Sequence, residues 1–302
     1  MDKGIIMSSF IKFELPTIVS KYVLPVNSFA VHVSFNSSHT ANNRNIVVSN
    51  TNHQGKIRVI GDGHFVDSDL MTDLGTELTY TGVNQNIYVS DGESDIIFEN
   101  KETMLTFSTG SYNIYGTKYL SMGDMKYMPS LVYLTPLNFI SYEGRKVFSI
   151  DDVDTSAITQ IYSVNNSSVN RMKCIYGALE NIKNRNNITN FRLSGQNLTG
   201  NILSLSLNTV LTALDISYNK LEGNIANLGA TLNITELGVQ GNLNIYGNIE
   251  DWLNKLHDSG KNSGEITLRL YDSQIKYNDN YILNGTIYKA TFDENGWTMT
   301  EV

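Results

Sequence analysis

The sequence predicts a mainly β protein in which a β-sandwich-like domain precedes a solenoid of stacked repeats that ends in a β-hairpin cap. Two kinds of periodicity favour this fold class. The first hundred residues hold many short runs of alternating apolar and polar residues. The second half repeats one longer pattern, with steps of 23 residues from Phe191 to Leu214 and from Leu214 to Leu237. Self-similarity at a period in the twenties indicates stacked units that are each too small to bury a core alone.

The N-terminal domain is assigned to residues 1–100. The stretch from Phe29 to Phe35 alternates strictly between apolar and polar residues, which is typical of a half-buried strand. Further short candidate strands occupy residues 9–15, 44–49, 56–60, 77–80 and 86–89. Because turns rich in Asn, Ser, Asp and Gly separate these runs, we expect a small β-sandwich that serves as an attachment domain.

The second region, residues 101–302, contains the repeats, which are clearest over 188–249. One copy places its apolar positions and a single amide at Leu211, Leu214, Ile216, Asn219 and Leu221. Side chains alternate along a strand, so Leu214 and Ile216 should face a shared core. Asn219 follows where the chain turns, and its amide can both donate to and accept from backbone groups that leave the sheet. Structural roles of this kind are assigned to Leu193, Leu198, Leu214, Ile216, Asn219, Leu221, Leu237, Val239 and Asn242.

This spacing resembles that of the leucine-rich repeat family. A glycine stands two residues before the last Ile of three copies, at Gly200, Gly223 and Gly247. Glycine is favoured where a tight turn needs a positive φ, and this placement is similar to the subtype that adds a second short strand to each unit. The resemblance implies an irregular leucine-rich repeat solenoid, with a parallel sheet and an aliphatic interior.

Weaker copies are expected to extend the array towards the N-terminus, at residues 104–107, 131–134 and 158–161. Their spacing is uneven, with 29 residues from Leu105 to Leu134. Chance resemblance in ordinary β-structure is the alternative interpretation of these early segments.

Two features are predicted at the end of the array. Residues 250–260 interrupt the repeat, and Trp252, Leu253 and Leu256 lie on one helical face between leading acids and Gly260. This pattern predicts a short helix with Trp252 in the core. Residues 286–300 hold two alternating runs around Asp-Glu-Asn-Gly, which predicts a hairpin that caps the solenoid.

The outward positions of the repeated strands form two columns of polar residues. One column holds Arg192, Asp215, Gly238 and Arg269, and the next holds Ser194, Ser217, Gln240 and Tyr271. Neighbouring strands lie about 4.8 Å apart, so Arg192 and Asp215 are expected to pair. The candidate binding residues are Arg192, Asp215, Arg269, Ser217, Gln240 and Tyr271. A solvated sheet face that binds no ligand is the alternative.

Composition argues against several function classes. The formal net charge is −8 and no basic run occurs, which argues against nucleic acid as a partner. No apolar stretch reaches the length of a membrane span, and the apolar run at the start is too short for a secretory signal, so we expect folding in a cytoplasm. No catalytic motif stands out, so we expect no enzyme activity, no cofactor and no metal. The best metal candidate, Asp62 to Asp69, lacks the full EF-hand pattern and is more simply a solvated loop.

The expected function is that of a non-enzymatic structural or adhesion protein. The Asn-, Ile- and Tyr-rich texture of the repeat region is similar to virion accessory proteins of tailed bacteriophages, such as tail, collar or head-fibre components. That resemblance implies assembly in the host cytoplasm into a virion, with other virion proteins or copies of itself as partners. The alternatives are a leucine-rich repeat adhesin on a bacterial surface that binds a host protein, receptor or glycan, and a polysaccharide-degrading tailspike that uses Asp151 or Asp67.

Overall fold

The protein is mainly β, as the sequence predicts. The structure is a computed structural model that describes residues 27–35, 45–48, 54–61, 65–67, 73–75, 77–81, 85–88, 92–108, 117–123, 125, 127–135, 148–163 and 175–302. Within these ranges it contains 25 strands and a single α-helix. The segment 9–15 lies outside the described residues.

The strands of the first part of the chain form two antiparallel sheets. They are β1 (Phe29–Phe35), β2 (Asn45–Val48), β3 (Gln54–Gly61), β4 (Phe65–Asp67), β5 (Asp73–Gly75), β6 (Glu77–Thr81), β7 (Gln85–Tyr88), β8 (Gly92–Phe98) and β10 (Thr117–Gly123). The intervening strand β9 (Thr106–Ser108) belongs to another sheet. One sheet has the order β10-β1-β8-β3-β6 and the other the order β2-β7-β4-β5. The predicted strands at 29–35, 44–49, 56–60, 77–80 and 86–89 are confirmed. β9 joins the parallel sheet described next, and β10 then returns to pair with β1 of the first antiparallel sheet, so residues beyond 100 contribute to the N-terminal sheets.

A nine-stranded sheet begins at β9 and runs to the end of the chain. It continues through β11 (Tyr133–Thr135), β13 (Gln160–Ser163), β15 (Asn190–Leu193), β17 (Ala213–Asp215), β19 (Glu236–Gly238) and β21 (Glu265–Arg269), all parallel. Its register sets Phe191, Leu214, Leu237 and Leu268 side by side. The predicted equivalence of these four positions is therefore confirmed.

A seven-stranded sheet contains the intervening strands. These are β12 (Phe148–Ser149), β14 (Ile175–Ala178), β16 (Asn197–Asn201), β18 (Lys220–Asn224), β20 (Asn244–Asn248) and β22 (Gln274–Tyr277), again parallel, followed by the antiparallel β23 (Asn280–Tyr281). From β12 onwards the chain alternates between the two sheets. Each strand of the nine-stranded sheet, together with the following strand of the seven-stranded sheet and their connections, is called a unit below.

The early segments join the same sheet, but one predicted anchor is corrected. Leu134 pairs with Phe107, not with Leu105, and Ile161 pairs with Leu134. The first two steps are therefore 27 residues each. The register follows the backbone hydrogen bonds of β9, which apolar spacing alone could not locate in so short a strand.

The two sheets share one aliphatic core. Phe191, Leu214 and Leu237 from the nine-stranded sheet and Leu198 and Leu221 from the seven-stranded sheet are fully buried. The same cluster extends from Phe98 and Met104 to Phe292. No single unit could bury these side chains alone, so the units stabilise one another through apolar surface removed from water.

The predicted helix is confirmed as α1 (Ile249–Asp258). It begins where the Asn248 side chain accepts a hydrogen bond of 3.1 Å from the amide of Glu250, and the acids Glu250 and Asp251 occupy the first turn. Trp252 is fully buried, together with Leu253 and Leu256. The helix therefore fills the core of its unit, as the apolar face predicts.

The predicted hairpin is also present. β24 (Ile287–Asp293) and β25 (Gly296–Glu301) pair around a two-residue turn, and β24 pairs antiparallel with β21. Ala290 and Phe292 are buried, and the indole of Trp297 donates to the Asn254 side chain of α1 at 2.8 Å. The hairpin thus covers the last parallel strand.

Candidate functional site

The corners after β15, β17 and β19 are each held by an amide side chain. Asn219 is 7% exposed and donates to the carbonyl oxygens of Leu193 at 2.8 Å and Ile216 at 2.9 Å. Its own oxygen accepts from the amide of Leu198 at 3.0 Å. These contacts join two consecutive units and both sheets, which is the donor-and-acceptor role expected for this position.

Asn242 repeats the arrangement one unit later. It donates to Ile216 at 3.0 Å and Val239 at 2.9 Å, and accepts from Leu221 at 3.0 Å. The Ile216 carbonyl oxygen is therefore shared between two asparagines. At the flanking units Gln196 accepts from Ile175 at 3.0 Å, and Ser273 donates to Leu270 and accepts from Ile275 at 3.3 Å. Gln196 therefore preserves the accepting contact to the preceding unit, whereas Ser273 accepts only from its own unit.

The glycines of the second strand allow close passage between units. Gly200 and Gly223 have φ of +108° and +122°, and each pairs with the apolar second residue of the next strand of the same sheet, such as Leu221. A Cβ at Gly223 would meet the Asn201 side chain, which accepts from the amide of Leu203 at 2.9 Å. Glycine is required here by both the backbone conformation and the adjacent capping side chain.

Sequence reasoning missed a third set of contacts, which precedes strands β15, β17 and β19. Thr189, Thr212 and Thr235 donate from their hydroxyls to the backbone carbonyl of the equivalent threonine one unit earlier, at 2.8–3.1 Å. The signal was visible as a Thr directly after the leading Ile or Leu of each copy. Its role follows only from the register, because the acceptor lies on another unit.

The candidate binding residues lie on the face of the nine-stranded sheet that points away from the core. Alternation along β19 and the two residues that follow it places Leu237 and Val239 in the core, so Glu236, Gly238 and Gln240 lie on the opposite face. The register sets Arg192, Asp215, Gly238 and Arg269 in one row. This outer surface of β15, β17, β19 and β21 is called the strand face below.

The expected pairing of Arg192 with Asp215 is corrected. Arg192 Nη2 lies 2.6 Å from Glu236 Oε2, two strands away, and Arg269 Nη1 contacts the other oxygen of the same carboxylate. Arg192 can cross the intervening strand because Ala213 occupies that position and offers no long side chain. The Glu236 carboxylate therefore binds both guanidinium groups, and it reaches Arg192 across two strands instead of one.

Arg192 is also fixed from its other side. Its Nε donates to Asn190 Oδ1 at 3.1 Å, and its guanidinium lies 5.8 Å from the ring centroid of Tyr162 on the preceding strand. About a third of the Arg192 and Arg269 side chains is exposed. The strand face therefore presents two guanidinium groups in set positions.

Asp215 is bound locally. Its Oδ1 accepts from the Ser217 hydroxyl at 2.6 Å and from the Ser217 amide at 3.2 Å. Burial raises the pKa of Asp215, and the hydrogen bonds from Ser217 only partly offset this rise. The negative charge of Glu236 raises the pKa further, and the positive charge of Arg269 lowers it. A Cβ at Gly238 would lie 2.8 Å from the same oxygen, so glycine leaves room for the carboxylate.

Ser217 and Gln240 were expected on the exposed surface, and this is corrected. Ser217 is fully buried and Gln240 is 6% exposed. Ser217 is covered because it folds back on Asp215. Gln240 Oε1 is buried and has no hydrogen-bond partner among the described residues.

A pair of tyrosines borders the strand face where the strands end. Tyr218 adopts a left-handed backbone, with φ of +53°, at a position that is glycine in the units before and after it, Gly195 and Gly241. A Cβ at Gly241 would collide with the Tyr218 ring, so the ring lies directly across that glycine. The Tyr218 hydroxyl is 3.2 Å from that of Tyr271, and the Tyr218 residue remains 43% exposed. This fixes the orientation of an accessible aromatic ring.

The acids considered for chemistry make structural contacts. Asp151 accepts from the amide of Ala178 at 3.2 Å. Burial acts to raise the pKa of Asp154, but hydrogen bonds from Ser156 and the charge of Lys183 outweigh it and lower the pKa below 3.8. No group of three or more His, Cys, Asp or Glu among the described residues could hold a metal ion. The Asp62 to Asp69 segment lies largely outside the described residues, and no side chain in it is described.

Comparison with known proteins gives no relative. No family model, no curated protein and no solved structure matches the chain. In the described part of the chain, no helix has both the length and the apolar character needed to cross a membrane.

Proposed function

We propose that residues 101–302 form an irregular leucine-rich repeat solenoid, capped by the hairpin at 286–300, and that residues 1–100 form a β-sandwich-like attachment domain. The single shared core, the alternation between two parallel sheets and the ladder of corner amides support the first part. The two antiparallel sheets of short strands support the second. β10 pairs in the N-terminal sheet while β9 and β11, on either side of it in sequence, pair in the nine-stranded sheet, and these chain crossings argue for a rigid junction.

We infer that the protein is a non-enzymatic structural or adhesion component that acts through protein–protein contacts. The observation that carries this proposal is the continuous nine-stranded sheet. Its seven parallel strands, about 4.8 Å apart, give a stiff element about 29 Å long between the N-terminal sheets and the hairpin. Such an element suits a part that holds other proteins at a fixed distance. The acids Asp151, Asp154 and Glu180 accept hydrogen bonds from backbone amides outside the nine-stranded sheet, two of them in the seven-stranded sheet.

The proposed setting is a bacteriophage virion, in a tail, collar or head-fibre position, assembled in the host cytoplasm from copies of this chain and other virion proteins. The test is quantitative mass spectrometry of particles purified through a density gradient. A fixed copy number per particle that survives high salt is expected. Recovery of the protein only from the unassembled fraction of infected cells would contradict the proposal.

A bacterial adhesin that binds a host protein or a glycan is the second candidate. The fixed arginines and the exposed Tyr218 ring favour it, since ordered polar and aromatic groups on one face suit recognition. Labelling of intact bacteria by an antibody against the protein is expected for this function. Labelling that requires lysed cells would exclude it.

A further inference from the structure

The last strand of the nine-stranded sheet has one edge without a neighbouring strand in the described part of the chain. The sheet ends at β25, which pairs only with β24. β25 has six residues in regular register, whereas the strands at the other ends of the nine- and seven-stranded sheets, β9, β12 and β23, have two or three. Proteins commonly prevent pairing at an edge with short strands, Lys, Pro or a bulge. The strand β25 has none of these features and carries a charge only at Glu301.

The register of the hairpin determines which backbone groups of β25 point to this edge. The amide of Val302 donates to the carbonyl oxygen of Ile287 at 2.9 Å, so these two residues form a hydrogen-bonded pair. Bonded and non-bonded pairs alternate along antiparallel strands, so Trp297, Met299 and Glu301 occupy positions that do not bond to β24. Their N–H and C=O groups therefore point to the edge.

The same strand leaves apolar surface at the end of the core. Trp297 and Met299 pair with Phe292 and Ala290, which are buried, so the four side chains share the core face of the sheet. Trp297 and Met299 pack against the core and remain partly exposed. A strand added beside β25 would remove this apolar surface from water, which favours association.

We propose that the β25 edge binds the β25 edge of a second copy of this chain, in antiparallel orientation, with the two Met299 residues opposite each other. The outward residues Trp297, Met299 and Glu301 are evenly spaced around Met299. In this register Trp297 therefore lies opposite Glu301 of the partner subunit. Every outward N–H and C=O of the two strands then finds a partner, through about six hydrogen bonds.

The side chains that meet in this register are compatible with one another. The two Met299 side chains meet on the core face and extend the apolar surface of both copies. The exposed Thr298 lies opposite Thr300 of the partner subunit, and cross-strand threonine pairs stabilise sheets. The two Glu301 carboxylates are separated by four residues along the strands, about 14 Å, which exceeds the distance over which exposed charges repel at physiological salt. A second copy therefore supplies a suitable neighbour at every position.

The proposal rests on the proposed function, which includes copies of this chain among the partners, and adds the surface and the register of the contact. Its test is the mass of the full chain in solution, measured by sedimentation equilibrium from about 1 to 100 μM, the range in which a small interface dissociates. A rise from 33.7 kDa towards twice that mass is expected. Association in solution and incorporation into particles are separate measurements, so either proposal can fail without the other.

Charge changes at position 299 test the register. Met299→Lys and Met299→Glu each place like charges opposite each other, so each variant alone should associate about tenfold more weakly than wild type. An equal mixture of the two should recover the association, because opposite charges then face each other. Thr291→Lys adds the same charge to an exposed position of β24, which has strands of its own chain on both sides, and should associate as wild type.

Hydrogen exchange of the wild type gives a second readout that does not depend on how the variants fold. Protection of the Met299 amide should increase with protein concentration, since this amide points away from β24. A chain that stays monomeric at about 100 μM overturns the proposal. So does association that both variants leave unchanged, a mixture of folded variants that does not recover association, or Met299 exchange that is independent of concentration.

Discussion

The corner asparagines give the sharpest test of how the units hold together. Replacing Asn219 with Ala leaves two buried backbone groups without their partner, the amide of Leu198 and the carbonyl of Leu193. The Ile216 carbonyl keeps its bond from Asn242. At about 1–3 kcal/mol for each unpaired group, the expected loss in the free energy of unfolding is about 2–6 kcal/mol.

The shared carbonyl makes a stronger prediction about pairs of changes. Asn242→Ala leaves the amide of Leu221 and the carbonyl of Val239 unpaired, and Ile216 keeps its bond from Asn219. Only the double variant removes both donors to Ile216. Its loss should therefore exceed the sum of the single losses by about 1–3 kcal/mol.

Urea denaturation followed by circular dichroism measures these free energies, provided the slopes of the transitions agree among variants. The control is Asn227→Ala, an exposed asparagine in the connection after β18, which should change stability by less than about 0.5 kcal/mol. A loss below about 1 kcal/mol for Asn219→Ala would refute the reasoning. Strict additivity in the double variant would show that Ile216 is not the shared acceptor.

Three further outcomes are expected. Gly223→Ala should lower the free energy of unfolding more than Gly285→Ala, because both have positive φ but open space surrounds a Cβ only at Gly285; equal losses would contradict this. Trp252→Ala should cost about 3–5 kcal/mol in the same assay, since the indole is fully buried, and a loss near zero would place that ring outside the core. Burial raises the pKa of Asp215, so the native state binds the carboxyl proton more tightly than the unfolded chain does. The contribution of Asp215 to the free energy of unfolding therefore falls as pH rises above 3.8. Asp215→Asn should therefore gain stability relative to wild type between acid and neutral pH, and a constant difference would contradict the shift.

Local chemistry made much of the fold predictable from the sequence. Trp252 lies on an apolar helical stripe between helix-forming acids and a closing glycine, and those signals depend only on near neighbours. Asn219 could be assigned because an amide is the side chain that both donates and accepts at a turn. The buried apolar positions followed from alternation along each strand.

The errors lie where the outcome depends on contacts between distant segments. Phe107 takes the position expected for Leu105, because three residues of strand carry too little pattern to set a register. Arg192 bypasses Asp215 for Glu236, since the small side chain of Ala213 opens a path that pairwise spacing does not reveal. The backbone of Gln240 likewise bonds to Tyr218 and Arg269 of the two adjacent units, contacts that follow from the register and not from local sequence.

The antiparallel hairpin sets the direction in which such a protein can change length. Strands β9 to β21 all run in one direction, so each presents the same hydrogen-bonding edge to its successor, whereas β24 runs against them and β25 runs against β24. A duplicated 23-residue segment could be accommodated between β15 and β19, where the strands on both sides run parallel to it. The same segment inserted between β21 and β24 would separate that antiparallel pair, so added units should be tolerated better inside the parallel array than at its junction with the hairpin.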